Sequence, residues 1–278
     1  MQKITSRDNQ KLKFARKARD GKEKDAIFVE GVRLTEELLR SDLKIFEGFV
    51  SESFSKNNLE TLIAISKKSD NLSEIPDKIF TTLSDTKTSQ GIILIAEKPA
   101  CGKDKIEKKL DRNFENFPFL LLLHRINNPS NLGAILRTCE AVGIEGVILT
   151  ENSADVFSPK SLRSAMGAAF RLNFWTDAGF DEVLAWARAK NLTTVCADIN
   201  AKKSFWEVDW IKPTLLIFGS EAHGLTQEEC DKIDESVYIP MDNDVESLNL
   251  AVSGGIILFE AKRNRLIFNG KWKTENGK

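Results

Sequence analysis

Histidine and cysteine are scarce in this chain of 278 residues. The two histidines are His124 and His223, and the four cysteines include no C-x-x-C pair. The cysteines are Cys101, Cys139, Cys196 and Cys230. Zinc sites need clustered cysteine and histidine ligands, so the sequence predicts no metal site. Scattered thiols fit a reducing compartment, so we expect a cytoplasmic protein.

Long apolar runs are missing as well. No window of eighteen or more apolar residues occurs, and the run Phe119–Leu123 is far too short to cross a bilayer. The first seven residues lack the apolar core of a signal peptide. With 41% hydrophobic and 29% charged residues, the sequence predicts a soluble globular protein of one large or two ordinary domains.

Two nucleotide-binding fingerprints are absent. No G-x-G-x-x-G follows a strand-like run, which disfavours a dinucleotide-binding oxidoreductase. Gly219 and Gly224 have the spacing of the P-loop glycines, but Leu225 stands where the phosphate-binding lysine is required.

Charge is nearly balanced over the whole chain, at −1, but it is uneven at the N-terminus. Within the first 24 residues the basic side chains outnumber three acidic ones, Asp8, Asp20 and Glu23. The basic residues are Lys3, Arg7, Lys11, Lys13, Arg16, Lys17, Arg19, Lys22 and Lys24. Composition alone leaves two alternatives open, a face that binds phosphates and a solvated helix surface.

Hydrophobic patterning predicts two α/β domains. Residues 1–96 alternate short strands and helices, residues 97–116 form a polar linker, and patterning resumes over 117–278. In that second domain, strand-like runs at 119–123, 146–149, 193–197, 214–218 and 237–240 alternate with helix-like ones. The helix-like runs are 131–142, 181–190, 226–232 and 248–263. Nearly continuous apolar strands separated by helices indicate a parallel sheet covered on both faces.

Two strands of the second domain end in turns that predict a small-molecule cleft. The run 214–218 ends at Gly219, and Gly224 follows five residues later. The run 237–240 ends in Pro240 and is followed by Met241. Ligands of open α/β sheets bind beyond the carboxyl ends of the strands, and glycine lets a ligand lie against bare backbone. Either glycine alone is more often a simple turn residue.

A third segment, NNPSNLGAILRT at 127–138, follows the first strand of this domain. We expect Ser130 or Asn131 to cap a helix that carries Arg137 in its second turn. Gly133, one turn earlier, leaves space above the guanidinium. Taken alone, Arg137 is interpreted as an ordinary surface arginine.

Together, NNPSNLGAILRT, IFGSEAHGL and IPMDNDVESLNLAV resemble motifs one, two and three of the SpoU (TrmH-type) RNA 2′-O-methyltransferases. SPKSLRSAMGAAFRL, between the first two motifs, is also similar to that family. The N-terminal ITSRDNQKLK…FVEGVRLTEELL and LSDTKTSQGIILI resemble the substrate-binding domain found ahead of many such enzymes. One departure is Asn128, which stands where many members have an acidic residue.

The resemblance implies a fold, a methyl donor and a set of catalytic residues. The second domain should carry a deep trefoil knot, and the first should be a ribosomal-protein-like α/β domain. S-adenosylmethionine would bind in the knot to Gly219, Ile239, Met241 and Leu248. The catalytic residues implied by motif position are Arg137, Asn131, Glu221, Ser247 and Asn249. Because arginine stays protonated, we expect Arg137 to act as an electrostatic clamp. Asn131, Ser247 and Asn249 would orient the ribose and the guanidinium. Glu221 would anchor the network of these residues.

The resemblance also implies partners. The methyltransferase domain would form a homodimer. The substrate would be ribosomal RNA, and that of the large ribosomal subunit is favoured. Transfer RNA as substrate and an inactive RNA-binding relative remain the alternatives. The resemblance favours phosphate binding by the basic N-terminal residues. The predicted RNA-binding residues are Arg7, Lys11, Lys13, Arg16, Lys17 and Arg163.

Overall fold

The computed structural model describes residues 1–69, 71–112, 117–243 and 245–270. The chain divides into two compact units, one of residues 1–99 with 155–171, the other of residues 100–154 with 172–278. Helix Lys103–Arg112 lies in the segment predicted to be a linker, and residues 113–116 of that segment lie outside the described residues. The two units differ from the predicted domains because the segment 155–171 packs with the N-terminal residues.

Unit 1 is built on a five-stranded mixed sheet in the order β1-β4-β3-β5-β2. Strands β2 and β3 run antiparallel to β5, and β4 runs parallel to β1 and β3. Its elements are β1 (Gln2–Lys3), α1 (Gln10–Arg19), β2 (Ala26–Glu30), α2 (Val32–Leu39), β3 (Ile45–Ser51), α3 (Glu52–Asn57), α4 (Leu59–Ser66), β4 (Leu72–Ile75), α5 (Asp77–Leu83), β5 (Ile92–Glu97) and α8 (Pro159–Ala165).

Helix α1 shows how this unit forms its core. Leu12, Ala15 and Ala18 recur at helical spacing, and all three are buried. They join Phe28 and Phe49 of the sheet in one apolar cluster. The basic side chains of α1 lie on the rest of the helix, where Lys13 and Lys17 are exposed and Lys11, Arg16 and Arg19 are half-buried.

Unit 2 contains a seven-stranded, wholly parallel sheet in the order β10-β12-β9-β11-β6-β7-β8, which confirms the predicted fold class. Its elements are α6 (Lys103–Arg112), β6 (Phe119–Leu123), α7 (Pro129–Val142), β7 (Gly146–Thr150), β8 (Phe174–Ala178), α9 (Phe180–Ala189), β9 (Thr193–Ala197), β10 (Lys203–Ser204), β11 (Thr214–Phe218), α10 (Gln227–Cys230), β12 (Glu235–Tyr238) and α11 (Leu250–Phe268).

Helices cover both faces of this sheet. Leu120 and Leu122 of β6 pack in one cluster with Ile106 of α6 and Val183 of α9. On the other face, α11 packs against α7. All five residues of β6, and all five of β11, are buried. The trefoil knot stays a prediction.

The structure corrects several sequence expectations. Helix α7 is capped by Asn128, whose side chain accepts a hydrogen bond from the backbone N–H of Ser130, so the predicted caps Ser130 and Asn131 are wrong. Because the helix begins two residues earlier than predicted, Arg137 lies in its third turn. The last helix is shifted to 250–268. Within the described residues, no helix is both long and apolar enough to cross a bilayer.

Candidate functional site

A cleft of about 610 Å³ lies in unit 2 at the carboxyl ends of β9, β11 and β12. Its walls are the residues that follow these strands, together with 246–250 and Ser253 at the start of α11. The carboxyl ends of parallel strands meet at one edge of the sheet, where loops leave an open crevice. The size matches the 300–1,000 Å³ typical of small-molecule sites.

The turn after β11 requires glycine at position 219. A Cβ on Gly219 would lie 2.2 Å from the carbonyl carbon of Gly224 and 2.5 Å from the nitrogen of Leu225. The turn closes on itself, because Ser220 and Gly224 exchange backbone N–H···O bonds of 3.1 and 2.9 Å. The close approach of Gly224 and Leu225 therefore excludes any side chain at position 219.

Eight of the nine predicted cofactor and catalytic residues border this cleft. They are Gly219, Ile239, Met241, Leu248, Asn131, Glu221, Ser247 and Asn249. The ninth, Arg137, is exposed on α7 and is not part of the cleft lining. The structure thus brings residues from three segments, α7, the turn after β11 and the stretch between β12 and α11, to one edge of the sheet.

Glu221 joins the first two motifs. Its carboxylate accepts hydrogen bonds from the backbone N–H groups of Asn127 and Asn128, both at 3.2 Å, and a long one of 3.5 Å from Asn131 Nδ2. Three donors converge on one carboxylate, so it fixes the entry to α7 relative to the turn after β11.

Asn131 and Asn249 join the first and third motifs. Asn249 Nδ2 donates to Asn131 Oδ1 at 3.0 Å. Asn249 also caps α11, because its Oδ1 accepts from the backbone N–H of Ala251 at 2.9 Å. Both ends of this amide are therefore in use, which fixes its orientation. We call Glu221, Asn131 and Asn249 the amide–carboxylate network.

Two further predicted residues keep their polar groups available. Arg137 makes no hydrogen bond or ion pair with any residue that the structure describes. Ser247 is exposed at the cleft, and its hydroxyl has no hydrogen-bond partner among the described residues. Both side chains can therefore bind substrate without first breaking an internal contact.

Sequence reasoning missed a buried histidine beside the site. His124 follows β6 and is 2% exposed. Its Nε2 contacts Glu229 Oε1 and its Nδ1 contacts Thr150 Oγ1, each at 3.1 Å. Burial lowers the pKa of His124, although Glu229 opposes this shift. Since Glu229 is in α10, the histidine connects the end of β6 to the helix that follows the glycine turn. Its position at the end of an apolar strand was the available signal.

Glu229 is itself held by several donors. Burial acts to raise its pKa, but hydrogen bonds from the backbone N–H of Thr226 and the charge of His124 outweigh it, and the pKa is lowered. Asp198, Ile199 and Asn200, which follow β9, also line the cleft and were not predicted. The rule that ligands bind at carboxyl strand ends would have indicated them.

The predicted RNA-binding residues differ in their contacts. Arg7, Lys13 and Lys17 are exposed, although Lys17 Nζ lies 3.7 Å from Glu23. Lys11 is half-buried and forms a 2.9 Å ion pair with Glu47. Arg16 donates to the carbonyl oxygen of Arg7. Arg163 of α8 donates to Asp85 at 2.7 Å, so an RNA contact would compete with this pair. Their role in RNA binding stays a prediction.

Comparison with known proteins gives matches over both parts of the chain. Residues 118–259 match the model of the SpoU rRNA Methylase family. Residues 28–100 match the model described as RNA 2′-O ribose methyltransferase substrate binding. Together these matches cover the cleft, the amide–carboxylate network and most of unit 1.

Individual relatives extend over most of the chain. The 23S rRNA (uridine(2479)-2′-O)-methyltransferase of Streptomyces viridochromogenes is 30% identical over 205 residues, which are 72% of this chain and 69% of the relative. The 23S rRNA (guanosine(2553)-2′-O)-methyltransferase RlmP of Bacillus subtilis is 28% identical over 94% of this chain and 100% of its own length. The crystal structure of an AdoMet-bound rRNA methyltransferase from Sinorhizobium meliloti has a TM-score of 0.79 and 26% identity, and covers 94% of this chain and 97% of that chain.

Proposed function

Because this chain belongs to the SpoU rRNA methylase family and is an S-adenosylmethionine-dependent RNA methyltransferase, we propose that its substrate is a ribose 2′-hydroxyl of large-subunit ribosomal RNA. Two relatives named as 23S rRNA 2′-O-methyltransferases support the substrate class. They act on a uridine and a guanosine, so the identity of the target base does not carry over. The observation that carries the proposal is the amide–carboxylate network, which connects all three motifs beside the cleft.

The cleft fits the methyl donor. Its volume of about 610 Å³ suits a nucleoside with an amino-acid side arm, and residues 219–225 of the turn after β11 line it. We assign Gly219, Ile239, Met241 and Leu248 as the residues that hold it. When bound, S-adenosylmethionine supplies an electrophilic methyl group on a sulfonium sulfur.

Arg137 and the amide–carboxylate network have different tasks in this proposal. A ribose hydroxyl is a poor nucleophile until its proton leaves, and arginine, protonated throughout, is a poor base. Arg137 therefore holds the adjacent phosphate and stabilises the forming alkoxide, while the proton passes to a phosphate oxygen or water. Glu221 already accepts three hydrogen bonds, so it is a positioning residue.

The family resemblance and one exposed apolar face support a homodimer. Val252 and Phe259 of α11 are 50% and 52% exposed and lie seven residues apart, on one side of the helix. Helix α11 packs against α7, which carries Arg137 outside the cleft. A second copy covering this face would bury these side chains. Phe259→Asp should yield a monomer in sedimentation equilibrium, and an unchanged oligomeric state would contradict this interface.

The substrate is tested by transferring labelled methyl from S-adenosylmethionine to total RNA from cells lacking this protein. We expect label in a 2′-O-methylnucleoside of the large ribosomal RNA. Label in transfer RNA would mean that transfer RNA is the substrate of the same reaction. No label despite donor binding would favour an inactive RNA-binding relative. The expected cytoplasmic location is tested separately, by fractionation of cells that contain the protein.

The role of Arg137 is tested with Arg137→Ala and with a control on α9, Arg188→Ala, at an exposed arginine outside the cleft whose guanidinium donates to the carbonyl oxygen of Lys232. We expect Arg137→Ala to lower methyl transfer by roughly 100-fold or more, the effect of losing a preorganised charge-stabilising donor. Donor affinity should be nearly unchanged. An equal loss of both quantities would contradict the clamp. Arg188→Ala should leave both intact.

A further inference from the structure

A second cleft, of about 390 Å³, lies in unit 1 and is separate from the residues that hold the methyl donor. It is bordered by the first residues of α3, by one side of α5 and by the loop 84–91 between α5 and β5. Nothing in the proposed chemistry uses it. Its size suits a single nucleoside-sized group and not a double helix.

A buried carboxylate builds the loop of this cleft. Glu30 is 4% exposed and accepts hydrogen bonds from the hydroxyls of Ser84, Thr86 and Ser89, the last two at 2.9 and 2.8 Å. The backbone N–H of Asp85 adds a fourth donor at 2.8 Å. A charge buried in this way fixes its partners, because leaving any of them unpaired costs free energy. The loop is therefore a rigid wall.

The end of this loop is also fixed, against the start of α3. Gly91, with φ of +84°, ends the loop, and a Cβ there would meet Ser51 Oγ at 2.7 Å and Phe54 Cβ at 2.9 Å. Phe54 and Phe80, 5% and 2% exposed, contribute the apolar part of the lining. The cleft thus has an apolar floor between two preformed polar walls.

The rim of the cleft carries hydrogen-bond acceptors and donors that still have unused positions. Asp77 accepts from the hydroxyl and the backbone N–H of Ser53, at 2.6 and 3.2 Å, and the hydroxyl bond in particular lowers the Asp77 pKa. An ionised carboxylate has about four acceptor positions, so two remain. Across the described residues, neither the Lys87 ammonium nor the Gln90 side-chain N–H₂ has a hydrogen-bond partner.

We propose that this cleft binds an unpaired guanine of the RNA substrate. Guanine presents two adjacent donors, N1–H and N2–H₂, which a carboxylate such as Asp77 can accept together, and its O6 and N7 acceptors suit Lys87 and Gln90. The Asp77 charge disfavours a phosphate group as the occupant. The inference rests on the proposed RNA methyltransferase function.

The test is a titration of the full-length, ¹⁵N-labelled protein with nucleoside 5′-monophosphates of guanine, adenine, cytosine, uracil and hypoxanthine. Saturating S-adenosylhomocysteine fills the methyl-donor cleft, so that adenine cannot report binding there. The amide signals of Ser53, Thr86 and Gly91 report on the second cleft. Hypoxanthine is guanine without the 2-amino group, so it removes one contact without changing the protein.

We expect the guanine nucleotide to shift these amides and to bind about 10-fold more tightly than the other four, as for one well-placed base contact. Asp77→Asn should abolish that preference, and Asp42→Asn, a matched change at an exposed aspartate outside the cleft, should not. Lys87→Ala should weaken guanine binding, whereas Lys67→Ala, at an exposed lysine elsewhere in unit 1, should not.

Two results would overturn the inference. One is equal binding of all five nucleotides that disappears with Lys87→Ala, because this would identify a phosphate contact. The other is no shift of these amides by any nucleotide. Methyl transfer to ribosomal RNA is measured on the same protein before S-adenosylhomocysteine is added. If methylation occurs without guanine binding, only the guanine site fails, whereas absence of methylation removes the proposed function itself.

Discussion

Replacing Gly219 with alanine tests whether the bare turn holds the methyl donor. The added Cβ would lie 2.2 Å from the carbonyl carbon of Gly224, 2.4 Å from its oxygen and 2.5 Å from the nitrogen of Leu225. All three are backbone atoms, so no side-chain rotation relieves the contact. Ordinary contacts of a Cβ begin near 3.4 Å, so the turn must open by roughly 1.2 Å, the difference between 3.4 and 2.2 Å.

The cost of this opening falls mainly on donor binding. Overpacking of this kind costs about 1–3 kcal/mol, and the exposed residues 221–224 can move without disturbing the core. If the displaced turn must be restored for binding, the dissociation constant rises about 5-fold to 150-fold. The adjacent glycine gives the control, because a Cβ on Gly224 meets nothing within 4 Å and only its φ of +65° disfavours alanine. That conformation costs about 1 kcal/mol, so Gly224→Ala should be the milder change.

Calorimetric titration with S-adenosylhomocysteine, together with thermal unfolding, measures both quantities. We expect Gly219→Ala to weaken binding by about 10-fold or more with little change in melting temperature. Binding within twofold of the unsubstituted protein would refute the assignment of Gly219 to the donor site. A larger loss in Gly224→Ala than in Gly219→Ala would refute the steric reasoning.

Three further predictions concern stability. Burial lowers the pKa of His124, so the unfolded chain takes up a proton that the folded protein resists as pH falls below 6.5. The melting temperature should therefore fall from pH 7 to 5.5. His124→Gln should flatten that slope, and an unchanged slope would show that another group causes it. Gly254→Ala would meet Ile135 Cδ1 at 2.6 Å, whereas Gly255→Ala meets nothing within 4 Å. In urea unfolding, Gly254→Ala should lower the free energy of unfolding by about 1–3 kcal/mol and Gly255→Ala should raise it by about 0.5–1 kcal/mol. Equal effects would contradict the close packing of Gly254 against Ile135. Glu30→Ala leaves four donors unpaired and should lower the free energy of unfolding in urea by at least about 3 kcal/mol. A decrease below about 1 kcal/mol would contradict the anchoring role of Glu30.

The central strands could be predicted from the sequence because their signal is local. Phe119–Leu123 and Thr214–Phe218 are unbroken apolar runs with the same bounds in sequence and structure. Strand β8 was missed, since Phe174–Ala178 contains polar residues and includes Asp177 at φ +56°. The insertion of β11 between β9 and β6 could not be predicted from patterning, because pairing of parallel strands depends on distant contacts.

The cleft was predictable in outline, and its connections were not. Glycine turns at strand ends indicated a ligand site, and the family resemblance supplied residues such as Ser247 and Leu248. The hydrogen bonds from the backbone of Asn127 and Asn128 to Glu221 connect residues more than ninety positions apart. No periodicity or capping rule contains that information. The error in the cap of α7 has a local origin, because three polar residues flank Pro129 and each is a suitable cap.

Asn131 has a requirement that only an amide meets. Its Nδ2 donates to Glu221, and its Oδ1 accepts from Asn249, so one planar group must be donor on one side and acceptor on the other. Aspartate would keep the acceptor and set a second carboxylate against Glu221, about 1 kcal/mol of repulsion even in water. Since Glu221 belongs to the turn after β11 and Asn249 caps α11, this side chain connects that turn to the third motif. A displacement of either one must therefore reach the other.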